Sequence, residues 1–139
     1  MRDSDLVKQV ATILAAGTGW AWRPTGPAYT ATETGVYYGQ VSTAPDAPHR
    51  ACGITPYGPT DDLSDVPGLR RVQLWLRGDK GDPDSADDLA DAAFDILHGL
   101  MRVGGIHLMK RVSSAQLGID GNGRRLRADN YEIQPELET

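Results

Sequence analysis

Hydrophobic and polar positions change their period several times along this chain, and each change marks an element. Leu6, Val10, Ile13 and Leu14 recur at helical spacing and predict a first helix, capped by Ser4 or Asp5, running to about Ala16 and ended by Gly17. From Arg70 the period is two: Val72, Leu74 and Leu76 alternate with Gln73, Trp75 and Arg77, as in a strand with one buried face. Gly78, Gly81 and Pro83 break that pattern. Leu89, Ala93, Ile96, Leu97 and Leu100 then return to helical spacing, with Ala86, Ala90 and Phe94 widening the stripe. Asp82 is the expected cap of this second helix and Pro83 its first-turn residue. Beyond Gly104 and Gly105, Ile106, Leu108 and Val112 share one face of a long strand, and Asp120-Gly121-Asn122-Gly123 is a hairpin signal because its turn type needs residues that tolerate positive φ. The return strand, 124–134, turns Tyr131 and Ile133 inward.

Residues 17–69 read differently. Seven of the nine prolines lie there, so long regular elements are not expected. Two short strands fit, Gly35–Val41 and Ala51–Thr55, with Val36, Tyr38 and Ile54 as core-type residues. The loops are 42–50 and 58–68. Near the hairpin turn, 113–128 is thin in apolar residues and predicts an arm that projects beyond the core. The pattern implies an α+β fold: one domain over 1–139, a mainly antiparallel sheet, two helices packed on it, and a protruding C-terminal β-hairpin.

Composition bounds this reading. The chain has 139 residues, enough for a single core without staples. Hydrophobic content of 40% and charge of 24% are those of an ordered globular chain. No run approaches the ~18 apolar residues of a membrane helix, so no membrane partner is expected. The single Cys52 cannot form an intramolecular disulfide or a thiolate cage and reads as a small buried hydrophobe.

Net charge is −5, but its distribution says more. Residues 79–95 hold seven aspartates against Lys80, whereas 96–127 hold six Lys and Arg residues against Asp120. Asp84, Asp88, Asp91 and Asp95 fall at three- and four-residue steps along one helix face. Arg111, Arg124, Arg125 and Arg127 gather on the hairpin. An acidic element and a basic one on the same chain suit head-to-tail contact between copies, which closes into a ring or grows into a filament. These eight residues are the candidate interface. Exposed ion pairs contribute only about 0.2–1 kcal/mol each, so apolar contacts must supply much of any such surface.

Catalytic patterns are missing. There is no Gly-x-Ser-x-Gly elbow, no phosphate loop and no His-Glu-x-x-His. His49, His98 and His107 have no joint ligand spacing. Asp79, Asp82 and Asp84 invite a calcium reading, but a calcium loop counted from Asp82 would need glycine where Asp87 stands. Neither a catalytic residue, a cofactor nor a metal is expected. A different class of function, a small metal- or ligand-binding protein, would use the aspartates and the aromatic segment of Trp20, Trp22 and Tyr29.

The order of helix, Gly/Pro-rich segment, a strand ending Ile-Thr-Pro-Tyr, Val72–Asp79, an Asp-rich turn, the Leu89–Leu100 helix, and the hairpin closing with Asp129–Gln134 resembles the tail terminator proteins of long-tailed bacteriophages, often labelled minor capsid or minor tail proteins. Only the section from Trp20 to Thr34 lacks a counterpart in that pattern. Eleven arginines against three lysines suggest a GC-rich coding genome, as in a phage of an actinobacterial host. The resemblance implies a structural virion protein without enzymatic activity, in the host cytoplasm during assembly and then at the head-proximal end of the tail. There a ring of six copies would stop tube polymerisation and join the head connector. Its partners would be further copies of itself, the tail tube protein and the head–tail connector protein. DNA would pass through without specific binding, repelled by any acidic lumen within a screening distance of about 8 Å. A head-completion adaptor or a tail tube subunit is the alternative within the particle.

Overall fold

The computed structural model describes residues 2–58 and 68–136. Its elements in order are α1 (Asp3–Thr18), β1 (Gly35–Tyr38), β2 (Ala51–Pro56), β3 (Arg70–Lys80), α2 (Ser85–Leu97), β4 (Met101–Val103), β5 (Ile106–Ile119) and β6 (Arg124–Pro135). The six strands form one sheet in the order β1-β2-β3-β6-β5-β4. Only the β1–β2 pair is parallel. The two helices pack against each other and on the sheet, α1 over β1 and β2, α2 over β3, β6 and β5. This is the expected α+β architecture. The loop expected at 58–68 lies mostly outside the described residues.

The core follows the two periods. Leu6, Val7, Val10 and Leu14 of α1, Leu89, Ala90, Ala93 and Leu97 of α2, and Val72, Leu74 and Leu76 of β3 are buried together with Tyr131 and Ile133 of β6. Each fully buried Leu or Ile contributes about 1.5–3 kcal/mol relative to its exposed state. Cys52 lies in this core as a hydrophobe, and burial pushes its thiol pKa far up.

Helix boundaries shift for identifiable reasons. Arg2, not Ser4 or Asp5, occupies the N-cap of α1, leaving Asp3 and Asp5 in the first turn, where carboxylates favour the positive end of the helix dipole. Gly17 does not stop the helix. A Cβ there would lie 2.5 Å from Ile96 Cδ1, so glycine lets α1 close on α2. Gly19, at φ 80°, ends α1 and donates its N–H to the Ala15 carbonyl. α2 begins later than expected, with Asp84 at the N-cap. Asp82 instead accepts the Asp84 N–H at 3.0 Å, and Ser85 turns its hydroxyl back to the Asp79 N–H at 2.7 Å. The same helix ends at Leu97, before Leu100, because His98 is extended and Gly99 takes φ 82°.

Strand edges shift too. β1 stops at Tyr38, which is exposed rather than buried, and Gly39 at φ 79° turns the chain away. In β5, Ile106 and Met109 are buried whereas Val112 is 46% exposed, contrary to the shared face expected for Ile106, Leu108 and Val112. Register shifts at Ile106/Leu108 and Arg111/Ser113 change the parity. The short β4 carries too few residues to show a period. The 113–128 hairpin forms, but its two arms differ. β6 pairs with β3 as far as Lys80↔Arg124, and Gly81 donates to the Gly123 carbonyl at 3.0 Å. The β5 arm is the outer one.

Candidate assembly surface

α2 divides cleanly. Ala86, Leu89, Ala90, Ala93 and Leu97 face the core, while Asp84, Asp88, Asp91 and Asp95 line the exposed side at steps of four, three and four. Among the described residues none of these four carboxylates has an ion-pair partner.

The hairpin arginines are placed otherwise. Arg127 donates to Asp129 at 2.8 Å and to Asp87 of α2 at 2.9 Å. Asp129 is fully buried, and Arg111 reaches its other oxygen at 3.4 Å. The Arg111 guanidinium also lies over the Phe94 ring at 4.3 Å, and Phe94 stacks on His98 at 4.4 Å. His98 Nδ1 accepts the Arg111 backbone N–H. The side chains of Phe94, His98 and Arg111 thus tie the end of α2 to β5. The Gln116 amide and then Arg127 hold the Asp87 carboxyl below its ordinary pKa. Burial lowers the Arg127 pKa, but its bonds to Asp129 and Asp87 outweigh this and raise it.

Arg124 is buried, donating to Asp120 at 2.8 Å, with His49 Nδ1 at 3.4 Å. Burial raises the Asp120 pKa, and the Arg124 and Asn122 backbone N–H groups together with the Arg124 side chain more than reverse it. Arg125 alone of the four stays exposed. So the structure brings Arg111 and Arg127 together around Asp129, places Arg124 at the hairpin turn, and leaves Arg125 and the four aspartates at the surface.

Two features were not legible beforehand. Arg77, on the polar side of β3, is 1% exposed and donates to the carbonyls of His49 and Pro48 at 2.9 and 2.8 Å, fastening the 39–49 loop over the second face of the sheet. Burial, and then Arg124 nearby, lower its pKa. In the 20–34 loop, Arg23 grips Glu33 with two bonds of 2.8 and 2.7 Å and also reaches the carbonyls of Pro27 and Ala28. Neither arginine sits in a local pattern: the acceptors of Arg77 are backbone carbonyls 28 and 29 residues away, and Arg23 closes an irregular loop onto a carboxylate ten residues on.

The ligand-binding alternative finds its parts separated. Trp22 and Tyr29 line an open groove of about 640 Å³ with Pro24, Pro27, Tyr37 and Pro48, while Trp20 packs against the core. Asp79, Asp82 and Asp88 line a different depression of about 280 Å³. Among the described residues no group of three or more His, Cys, Asp or Glu is placed to hold a metal ion.

Comparisons with known proteins bear on this geometry. The model of a family described as bacteriophage tail terminator protein matches residues 19–137. Among solved structures, a chain from the virion of a native gene transfer agent particle superposes with a TM-score of 0.56 over 94% of each chain, at 16% identity, which is a likeness of fold. A search of curated proteins gives no match.

Proposed function

Since the chain belongs to the bacteriophage tail terminator family, and is thereby a structural, tail-related virion protein, we propose that it closes the head-proximal end of the tail tube as a ring of six copies. The ring ends tube polymerisation and presents the surface that meets the head connector. The observation on this chain that carries the reading is the α2 face. Four carboxylates stand exposed at helical spacing, while Arg111, Arg124 and Arg127 are engaged within their own chain.

The expected division of labour changes accordingly. Arg111 and Arg127 brace the subunit by holding α2 on β5 and β6, and Arg124 braces the hairpin turn. The contact between copies pairs the Asp84–Asp95 face with the exposed Arg125 of a neighbour and with apolar surface beside it. Carboxylates left uncovered face the lumen, where they keep DNA from adhering during ejection.

Electron microscopy of the purified protein mixed with tail tubes tests this reading. One closed ring at one end of each tube is the expected image. Uniform incorporation along the tube would make the protein a tube subunit, and binding to the head connector without binding to tubes would make it a head-completion adaptor.

A further inference from the structure

The arginines of the sheet differ in what balances their charge. Arg124 lies against Asp120 at 2.8 Å and Arg127 against Asp129 at 2.8 Å. Arg77 is 1% exposed, and its Nε and Nη2 donate only to the carbonyls of His49 and Pro48. Among the described residues no carboxylate pairs with it, and its Nη1 donors have no partner. Burial, and then the neighbouring Arg124 charge, act on it together. A buried charge ordinarily has an opposite charge beside it, because removing an uncompensated one from water is costly.

Arg77 also lines a cavity of about 450 Å³ on the second face of the sheet. Gln73, Trp75 and Arg77 alternate along β3 to make its floor, beside Arg124 of β6. Its wall is the 39–43 segment, and that wall is built in place. Gly39 donates its N–H to the Ile54 carbonyl at 2.7 Å, and a Cβ on Gly53 would collide with the Gly39 carbonyl. Glycine at position 53 therefore lets the segment lie close on β2. The charged lining residues are Arg77 and Arg124 against Asp120, which leaves one positive charge unbalanced. A cavity of this size, with an aromatic floor and a few polar groups, suits a small ligand.

We infer that this cavity binds a single carboxylate, with Nη1 of Arg77 as its donor and the Trp75 ring beneath its carbon skeleton. A monoanion balances the one spare charge, whereas a dianion would exceed it and would meet Asp120. Guanidinium N–H groups form their stronger hydrogen bonds with carboxylate oxygens, and the indole face suits the apolar remainder. Arg77 already fastens the 39–49 loop through His49 and Pro48, so an occupied site holds that loop more tightly. Two sources carry this chemistry: a free small organic acid, or an acidic side chain of another subunit. The inference uses neither the α2 face nor the terminator reading.

Benzoate is the probe, titrated into the full chain at constant ionic strength against chloride. The melting temperature should rise and the Trp75 indole N–H resonance should shift along one saturable curve. Trp20 and Trp22, which lie elsewhere, should not follow it. Arg77→Met should abolish the curve. Should that variant fail to fold, Thr55→Glu decides, since it sets a like charge at an exposed position of the cavity lining and leaves Arg77 in place. It should weaken benzoate about tenfold, while Thr55→Gln binds as the wild type does. Native mass spectrometry of the purified chain separates the two sources. A discrete added mass that is lost in Thr55→Glu marks a free small acid, and a bare chain of 15.0 kDa that still takes benzoate assigns the carboxylate to another subunit. No saturable shift in the wild type, chloride acting as benzoate does, or undiminished binding in Arg77→Met or Thr55→Glu would each overturn the proposal.

Discussion

At the β1 margin, Ala21 and Tyr29 satisfy the outer strand, and Arg23 fastens their loop through Glu33, with Thr30 N–H donating to the same carboxylate. At the β5 margin the outer side of the strand beyond Arg111 has no strand neighbour among the described residues, and Val112, Leu117 and Ile119 stand exposed along it. One edge is finished by its own chain, and the other is open among the described residues. The difference shows where arginine is spent in this fold. Arg23 closes an edge, while Arg111 and Arg127 anchor the open edge from beneath without covering it.

The largest effect is expected from removing that anchor. Arg127→Met leaves the buried Asp129 with only the longer Arg111 contact, and breaking a buried pair in this way costs about 3–5 kcal/mol. Thermal unfolding should show the loss, with hydrogen exchange rising first in β5 and the outer half of β6. A variant that retains wild-type stability would mean the cluster does not anchor the edge.

At the closed edge, Tyr29→Phe removes one hydroxyl that both accepts the Arg23 N–H and donates to the Val36 carbonyl. Part-buried groups left unpaired there should cost about 1–3 kcal/mol. Amide exchange at Tyr37 and Tyr38 should quicken while β5 is unchanged. Equal changes at both margins would contradict the separation between them.

Acid should discriminate the edges more gently. Bonds from Arg23 and then the Thr30 N–H lower the Glu33 pKa from 4.5 to about 2. A depressed carboxylate stabilises the fold above its unfolded pKa, and that contribution is lost as pH falls from about 4.5 through about 2. Trp22 fluorescence should therefore report loosening of the 20–34 loop in that window, and Glu33→Gln should abolish the pH dependence. A Trp22 signal that titrates equally in the variant would remove Glu33 from the explanation.

The smallest effect on folding is expected at α2. Asp88→Lys/Asp91→Lys alters exposed, unpaired side chains and should change stability by no more than about 0.5 kcal/mol per site. Ring formation on tubes should nevertheless weaken. Unchanged ring yield on tubes would show that this face is not a contact between copies.

Much of the fold was written in local periodicity. Val72, Leu74 and Leu76 announced β3, and the Leu89–Leu97 stripe announced α2, because each pattern repeats within a few residues. The ends were harder to read: Asp82 and Ser85 serve the turn before the helix, and Gly17 serves a helix–helix contact. At the candidate site the aspartate face was legible for the same reason of spacing. The fate of the arginines was not, since Asp87 and Arg127 meet across 40 residues of sequence and only the β3–β6–β5 register brings them together. Charge asymmetry along a chain says that opposite charges will meet; topology decides whether they meet within one copy or between two.

Tube elongation in the presence of small amounts of this protein tests the terminator role most directly. Growth followed by light scattering should stop once each tube end carries one ring, and the stopped tubes should not resume when more tube protein is added. Continued growth at the same rate, or tubes that take up the protein along their length, would contradict it.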